Sequence, residues 1–418
     1  MRDETGWGHI LMLQDVRVLE ISAPETMMAG RILADLGADV VVVEPPGGAA
    51  ARRMEPFLNG IPGIERSLTW HAMNRNKRAI TLDLNSADGR ALGASLARNF
   101  DAIIETAAPG DRTPFEKIDI PGTVVRCTIS AFARFGPKSD YLATDLLVMA
   151  SSGAPSMTGD SDRPPLFHSV PQSIMEAGSE AAIAVLAGIV ARDRGAAGQR
   201  TEVSARIAAM VSALGLPTVI GSGNHEPKRC ETTIAGVRVP AIFECADGYV
   251  LVTVPAFGPA FGPMTQRLAK WAAEEGHLAR EIAEVDWSTF PQDLAKKTST
   301  PDQLRGLVEG VASLCRGKTK SELGVAARKL GLLAAPVMDM RDIAESRQYR
   351  ERGLWNSVQI TPDGGGIDVP ARFAQFSNFS IETKRPAPSL SQHTAEILRE
   401  YANVSPIELQ ALFVHGVI

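Results

Sequence analysis

The sequence is sparing with cysteine and aromatic side chains, and it shows no concentration of charge of either sign. Its four cysteines, Cys127, Cys230, Cys245 and Cys315, lie far apart. No C-x-x-C pair and no histidine at ligand spacing accompanies them, so neither a metal site nor a disulfide framework is expected. They read as reduced thiols of a cytoplasmic protein. A formal net charge of −5 over 418 residues gives no electrostatic reason to expect a nucleic-acid partner. Asp3 and Glu4 precede any apolar run, so the start of the chain does not read as a secretory signal. No uninterrupted apolar run reaches membrane-spanning length, because the best candidate is broken by Glu176 and Glu180. No membrane partner is expected. The first strand-to-helix turn, Ser22–Met28, lacks G-x-G-x-x-G, and no Walker-type glycine loop or G-x-S-x-G elbow occurs. Dinucleotide binding, P-loop chemistry and serine hydrolysis lose their usual support. Gly221–Asn224 is a plain turn signal.

What remains is ordinary globular composition, 44% hydrophobic and 22% charged, in a chain long enough for two domains. Short aliphatic runs alternate with helical patterns. Val16–Ile21, Ala38–Glu44, Ala79–Leu84, Asp101–Glu105 and Val124–Ser130 read as strands, with helices over Ala29–Leu36 and Ala87–Asn99. That alternation predicts an α/β fold, a Rossmann-like doubly wound sheet. After about residue 225 the pattern changes to a hairpin, Ala241–Val254 around Ala246–Gly248, followed by polar helices over Met264–Glu275, Pro301–Cys315 and Lys320–Leu330. This suits a smaller α+β domain. Leu332–Val337 reads as a strand or connector back, and Thr394–Tyr401 as a C-terminal helix.

One stretch, Pro171–Arg194, reads as a helix with little polar surface. Ser169 is the expected N-cap, Pro171 falls in the first turn, and Gly195 and Gly198 end it. Ala177 to Val190 are small or aliphatic, so burial on most faces is expected, with Gly178 and Gly188 allowing close backbone approach. Free N–H groups and partial positive charge at its start make a seat for an anion or a reactive carboxylate.

Four stretches carry a resemblance: Val18–Ser22 with Ala29–Glu44; Asn74–Leu84; Pro164 through the long helix to Gln199; and Leu332–Val337 with His393–Glu400. In this order they resemble the class III CoA-transferases of the CaiB/BaiF type. The resemblance implies a large Rossmann-like domain built from both chain ends (residues 1–225 and 336–418), a small domain between (226–335), and two subunits interlocked as a ring through a ring. It implies transfer of coenzyme A from an acyl-CoA donor to a carboxylic acid, through an aspartate that attacks the thioester. No tightly bound cofactor is implied; CoA thioesters are substrates. Asn74, Arg75, Asn76, Lys77 and Arg78 match the family segment lining the CoA cleft, where cations and amides cradle phosphate oxygens. A solvated basic turn is the plainer reading of such a cluster, and the match favours phosphate contact.

The nucleophile is where the resemblance breaks. Aligned on Gly178, Arg192 and Gly198-Gln199, the family aspartate falls on Ile174. Glu176 is the nearest acid, but two residues along a helix is a rotation of about 200°. A helix-start residue favoured by the dipole is its simpler role. Asp145 matches a position that works beside a histidine in the family's racemases, and Thr144 stands in place of that histidine; Asp145 reads as a structural hydrogen-bonding residue. The loop after the first strand adds an acid, Glu25, unfavourable beside phosphates. Pro45 stands where the family is often basic, and Glu105–Gly110 lacks the usual amide and aromatic. No glycine-rich lid is visible at Gly221–Pro227. The expected role is therefore a subunit without its own nucleophile, partnered by a homologous aspartate-bearing chain in a heterodimer or heterotetramer. A self-sufficient transferase or isomerase using Glu176 and a non-catalytic CoA-ester-binding paralogue remain as alternatives.

Overall fold

The computed structural model describes residues 12–109, 113–160, 162–211, 232–360 and 366–418. Cys230 and the turn and lid region at 221–227 lie outside the described residues. The chain divides into two compact units: one of Met1–Ala154, Phe167–Gly223 and Arg347–Ile418, the other of Pro155–Leu166 and Asn224–Ser346.

The first unit is built on a six-stranded parallel sheet of β1 (Arg17–Ile21), β2 (Asp39–Glu44), β3 (Arg78–Thr81), β4 (Ala102–Thr106), β5 (Val125–Ser130) and β6 (Arg200–Ser204). Its order is β3-β2-β1-β4-β5-β6. Parallel strands covered on both faces need continuous aliphatic runs, and Val40–Val43 and Ala102–Ile104 supply them, almost wholly buried. Helices α1 (Met27–Asp35), α2 (Leu68–Met73), α3 (Ala87–Ala97), α4 (Asp145–Ser152), α5 (Ser173–Asp193) and α6 (Ala205–Val211) connect or cover the strands. The strand order reverses at β1, whose neighbours are β2 on one side and β4 on the other. That reversal leaves a crevice at the carboxyl ends of β1 and β4, between loops that depart in opposite directions.

α5 crosses α1 and β5 so closely that a Cβ on Gly178 would sit 2.7 Å from Met28 Cβ, and one on Gly188 2.7 Å from Val125 Cγ1. Two expectations for this helix need correction. It starts at Ser173, with Gln172 as N-cap and no side-chain cap of its own, so Ser169 and Pro171 lie ahead of it. It is also not buried on most faces: Ile174, Ala177, Gly178, Ala181, Ala182, Val185, Gly188 and Ile189 form one buried stripe, while Ile183 is 62% exposed and Val190 48%. Both faces are apolar, so composition alone could not tell them apart. By length and composition α5 is apolar enough to cross a membrane, although Glu176 and Glu180 interrupt its apolar run; its buried stripe belongs to the core beneath the sheet.

The C-terminal residues return to this unit as a hairpin, Trp355–Gln359 with Gly366–Pro370, and two helices, Thr394–Ala402 and Pro406–Val414. Ile397, Leu398 and Leu409 complete the core over α3. In the second unit an antiparallel sheet places Gly248–Val252 between Ile242–Cys245 and Ala334–Val337. Helices Gly258–Glu274, Pro301–Arg316 and Lys320–Leu330 pack on it around Trp287 and Phe290. Capping boxes at Thr300 with Gln303 and Thr319 with Glu322 fix the starts of the last two helices.

Candidate functional site

A cavity of about 280 Å³ opens at the strand-order reversal. Its walls come from the ends of β4 and β5 and the residues after them (Thr106–Pro109, Ile129–Ala131), from Leu142–Asp145 and Val148, from Ser173 and Ile174 at the start of α5, and from Glu25 in the loop after β1. Ligands of open doubly wound sheets sit in this position, because the diverging loops leave room and helix starts face it. Ala107–Pro109 and Ser130–Ala131 are shared with an adjoining cavity of about 180 Å³, which Arg134 lines.

The start of α5 is already occupied by a carboxylate from the protein itself. Asp145 Oδ1 accepts the backbone N–H groups of Gln172 (3.1 Å) and Ser173 (2.8 Å) and the Ser173 hydroxyl (2.7 Å). A neighbouring helix thus caps the donors that the sequence suggested for a ligand. Asp145 is in turn held at the first position of α4 behind its N-cap, Thr144. Its other carboxylate oxygen, Oδ2, is buried without a hydrogen-bond partner among the described residues.

Ile174, where the sequence resemblance leads one to expect the family aspartate, is buried and lines this cavity with hydrocarbon. Glu176, in the same turn, is not among the residues lining the cavity. Glu25 is. Burial pushes its carboxyl above the usual glutamate range, against the opposing effect of its own backbone N–H. The sequence marks Glu25 only as an unfavourable acid; the strand order, which no local pattern reveals, is what brings it to the same cavity as Ile174. The loop is held there by Thr26, whose hydroxyl bonds Glu20 Oε1 (3.1 Å) and the Ile21 carbonyl (3.1 Å), and by the Gly178 crossing, where a Cβ would lie 3.4 Å from the Glu25 carbonyl.

None of Asn74, Arg75, Asn76, Lys77 and Arg78 lines this cavity. Lys77, fully buried, gives its three N–H bonds to Glu20 (2.7 Å), the Met27 carbonyl (3.0 Å) and Asn74 (2.9 Å). Burial raises the Glu20 carboxyl and lowers the Lys77 ammonium, while their mutual attraction opposes both shifts. Arg75, also buried, clasps Asp35 at 2.7 and 3.2 Å and bonds the carbonyls of Pro370 and Ala371. Asn76, with φ of 64°, bonds Asp35 (2.9 Å) and receives the Lys384 N–H (2.7 Å). Arg78 is paired with Asp39, Glu396 and Glu400. As placed, the segment braces the sheet to the returning C-terminal residues, and Arg75 and Lys77 have no exposed surface for a phosphate. Its open neighbours are Lys384 and Arg385, which with Asn76 and Arg78 line a separate cavity of about 430 Å³. Among the described residues no cluster of histidine, cysteine, aspartate and glutamate could hold a metal ion; Cys127, Cys245 and Cys315 are buried free thiols.

A family model described as CoA-transferase family III matches residues 13–394. The succinyl-CoA:(R)-benzylsuccinate CoA-transferase subunit BbsE of Thauera aromatica is 26% identical over 400 residues, 92% of this chain and 93% of that protein. Human succinyl-CoA:glutarate CoA-transferase is 25% identical over 441 residues, covering 100% of this chain and 92% of its own. Among solved structures, a CAIB/BAIF family protein from Brucella suis superposes with a TM-score of 0.74 at 23% identity, over 92% of this chain and 98% of that one, which shows the shared fold.

Proposed function

Because the chain belongs to CoA-transferase family III, we propose that it is one subunit of an enzyme moving coenzyme A from an acyl-CoA donor to a carboxylic acid, and that a homologous sister chain supplies the nucleophilic aspartate. The observation that carries this reading is Ile174, buried at the start of α5 and lining the cavity at the strand-order reversal. This chain has the cavity, the helix and its close crossing at Gly178, and at Ile174 it has no carboxylate to attack a thioester.

In the sister chain the carboxylate attacks the thioester carbonyl and releases CoA thiolate, leaving a mixed anhydride. The thiolate then attacks the aspartyl carbonyl, giving an enzyme thioester and the free donor acid. The acceptor carboxylate attacks that thioester, and the returning thiolate captures the acceptor acyl group and frees the aspartate. An isoleucine side chain can take none of these steps. This chain then contributes the interlocked scaffold and a cavity of its own.

Two further observations support an assembly. Ile183 and Val190 leave an apolar stripe of α5 open in the isolated chain, which association would cover. The Thauera relative is named as a subunit. Its printed substrates, succinyl-CoA and (R)-benzylsuccinate, are the first pair to assay. The assembly is a heterodimer or heterotetramer of interlocked subunits in the cytoplasm, with CoA thioesters as substrates and no tightly held cofactor. Contact between the Asn74–Arg78 segment and CoA phosphates belongs where the segment lines a cavity, at half-buried Asn76 and the buried, ion-paired Arg78, with the exposed Lys384 and Arg385 beside them.

Purification from the native source tests the reading. Co-isolation with a homologous chain carrying aspartate at the position matching Ile174, and CoA transfer by the pair but not by this chain alone, is expected. Turnover by this chain alone, abolished in Glu176→Gln, contradicts it.

A further inference from the structure

We infer that the cavity at the start of α5 in this chain accepts an acyl group carrying no second carboxylate, and that Glu25 is the residue that selects against dicarboxylic acyl chains. The inference rests on the reading of this cavity as an acyl-CoA site and names its substrate class.

Three features of the cavity carry it. The first is the sign of its charge: among the described residues lining it, Glu25 and Asp145 are the only ionisable side chains, and no lysine, arginine or histidine is present. A carboxylate entering here would meet two acids and no counter-charge on this wall, Arg134 lining the adjoining cavity instead, and like charges brought together in a desolvated site are strongly disfavoured. The second is the loss of the anion seat. The N–H groups of Gln172 and Ser173, which at an open helix start would receive a ligand carboxylate, are held by Asp145. Asp145 Oδ2, buried and without a hydrogen-bond partner among the described residues, adds an acceptor and no donor. The third is the apolar part of the wall: beside the hydroxyls of Thr106, Ser130, Thr144 and Ser173, the side chains of Ile174, Leu142, Val148, Ala107, Ala131 and Ala205 are hydrocarbon, suited to an alkyl or aryl body. A volume of about 280 Å³ is ample for a four-carbon acyl group.

The device is the position of Glu25, since Asp145 is spent on the helix cap. The relatives described above are named for succinyl, glutarate and benzylsuccinate groups. In a mixed assembly those dicarboxylates would be handled at the sister chain's cavity, and this one would hold an uncharged acyl group.

Butyryl-CoA and succinyl-CoA make the test, because their acyl chains have four carbons each and differ in ending as methyl or carboxylate. Calorimetric titration of the intact assembly is run with the wild-type chain, Glu25→Gln and Glu25→Lys; the class of sites that the substitutions shift is the one in this chain. The wild type should bind butyryl-CoA about tenfold tighter or more at that class, a gap typical of one uncompensated charge. Glu25→Gln should bring the two esters within about threefold, and Glu25→Lys should reverse the preference. Equal affinities in the wild type, or a ratio that neither substitution moves, overturns the inference while leaving the acyl-CoA site standing. If free CoA and both esters fail to bind the assembly at all, the acyl-CoA reading falls, and the inference with it.

Discussion

At the start of α5, one hydrocarbon side chain and two acids border an open cavity; at Asn74–Arg78, five polar side chains border none of it. The first stretch is chemically bare and geometrically a site. The second is chemically rich and buried as a brace. The difference lies in partners. Lys77 and Arg75 find their counter-charges in Glu20 and Asp35, 57 and 40 residues away in sequence, and a basic cluster is available to a ligand only after those carboxylates are counted. At α5 the reverse holds: the free N–H groups of a helix start are an anion site only while no internal carboxylate takes them, and Asp145 does.

Four single variants and one double variant sharpen or break this comparison. Lys77→Met should have the largest effect, destabilising by about 3–5 kcal/mol in chemical denaturation because Glu20 is left buried without its counter-charge. The double variant Lys77→Met with Glu20→Leu should recover most of that loss. A loss under about 1 kcal/mol in the single variant would mean that the brace is not structural. Gly178→Ala places a Cβ 2.7 Å from Met28 Cβ and should cost about 1–3 kcal/mol, with a lower melting temperature, as overpacked helix crossings do. Asp145→Ala uncaps α5 and should cost about 0.5–2 kcal/mol. A null result there would return the helix start to the list of open anion seats.

The smallest effect belongs to Glu25→Gln, and it depends on pH. Burial raises the Glu25 carboxyl in the folded chain, so the folded state holds this proton more tightly than the unfolded state. Between the two values the folded chain binds more protons, and stability contributed by this site falls as pH rises. The variant cannot ionise at this position, so its difference from the wild type isolates the effect. The two chains should be closest in stability at acid pH, and Glu25→Gln should gain relative to wild type as pH rises through the raised value. Denaturation midpoints measured across that range check it, and a gain that instead grows toward acid pH would contradict the half-buried placement of Glu25.

Much of the first unit was legible locally. Buried parallel strands need unbroken aliphatic runs, and Val40–Val43 and Ala102–Ile104 announce themselves. Gly178 and Gly188 were readable as close-approach positions, and each does meet a neighbour within 3 Å of where a Cβ would be. Strand order was not legible, because parallel neighbours are set by crossovers and leave no mark in any one segment. Without that order Glu25 could not be placed with Ile174 and Asp145, and the cavity stayed invisible. The apolar outer face of α5 misled for a related reason: alanine and glycine suit a tight internal crossing and an uncovered surface equally well. β6 escaped notice because Arg200–Ser204 is a largely polar edge strand, with only Ser204 buried.

The central claim is that the carboxylate performing the transfer is not in this chain. The assembly purified from its native source should be incubated with an acyl-CoA donor, the enzyme-bound thioester reduced with borohydride, and the modified residue located by peptide mass spectrometry. Reduction should mark an aspartate of the sister chain and leave the Ser173–Glu176 and Glu25 peptides of this chain unmodified. A reduced side chain at Glu176 or Glu25 would contradict the account.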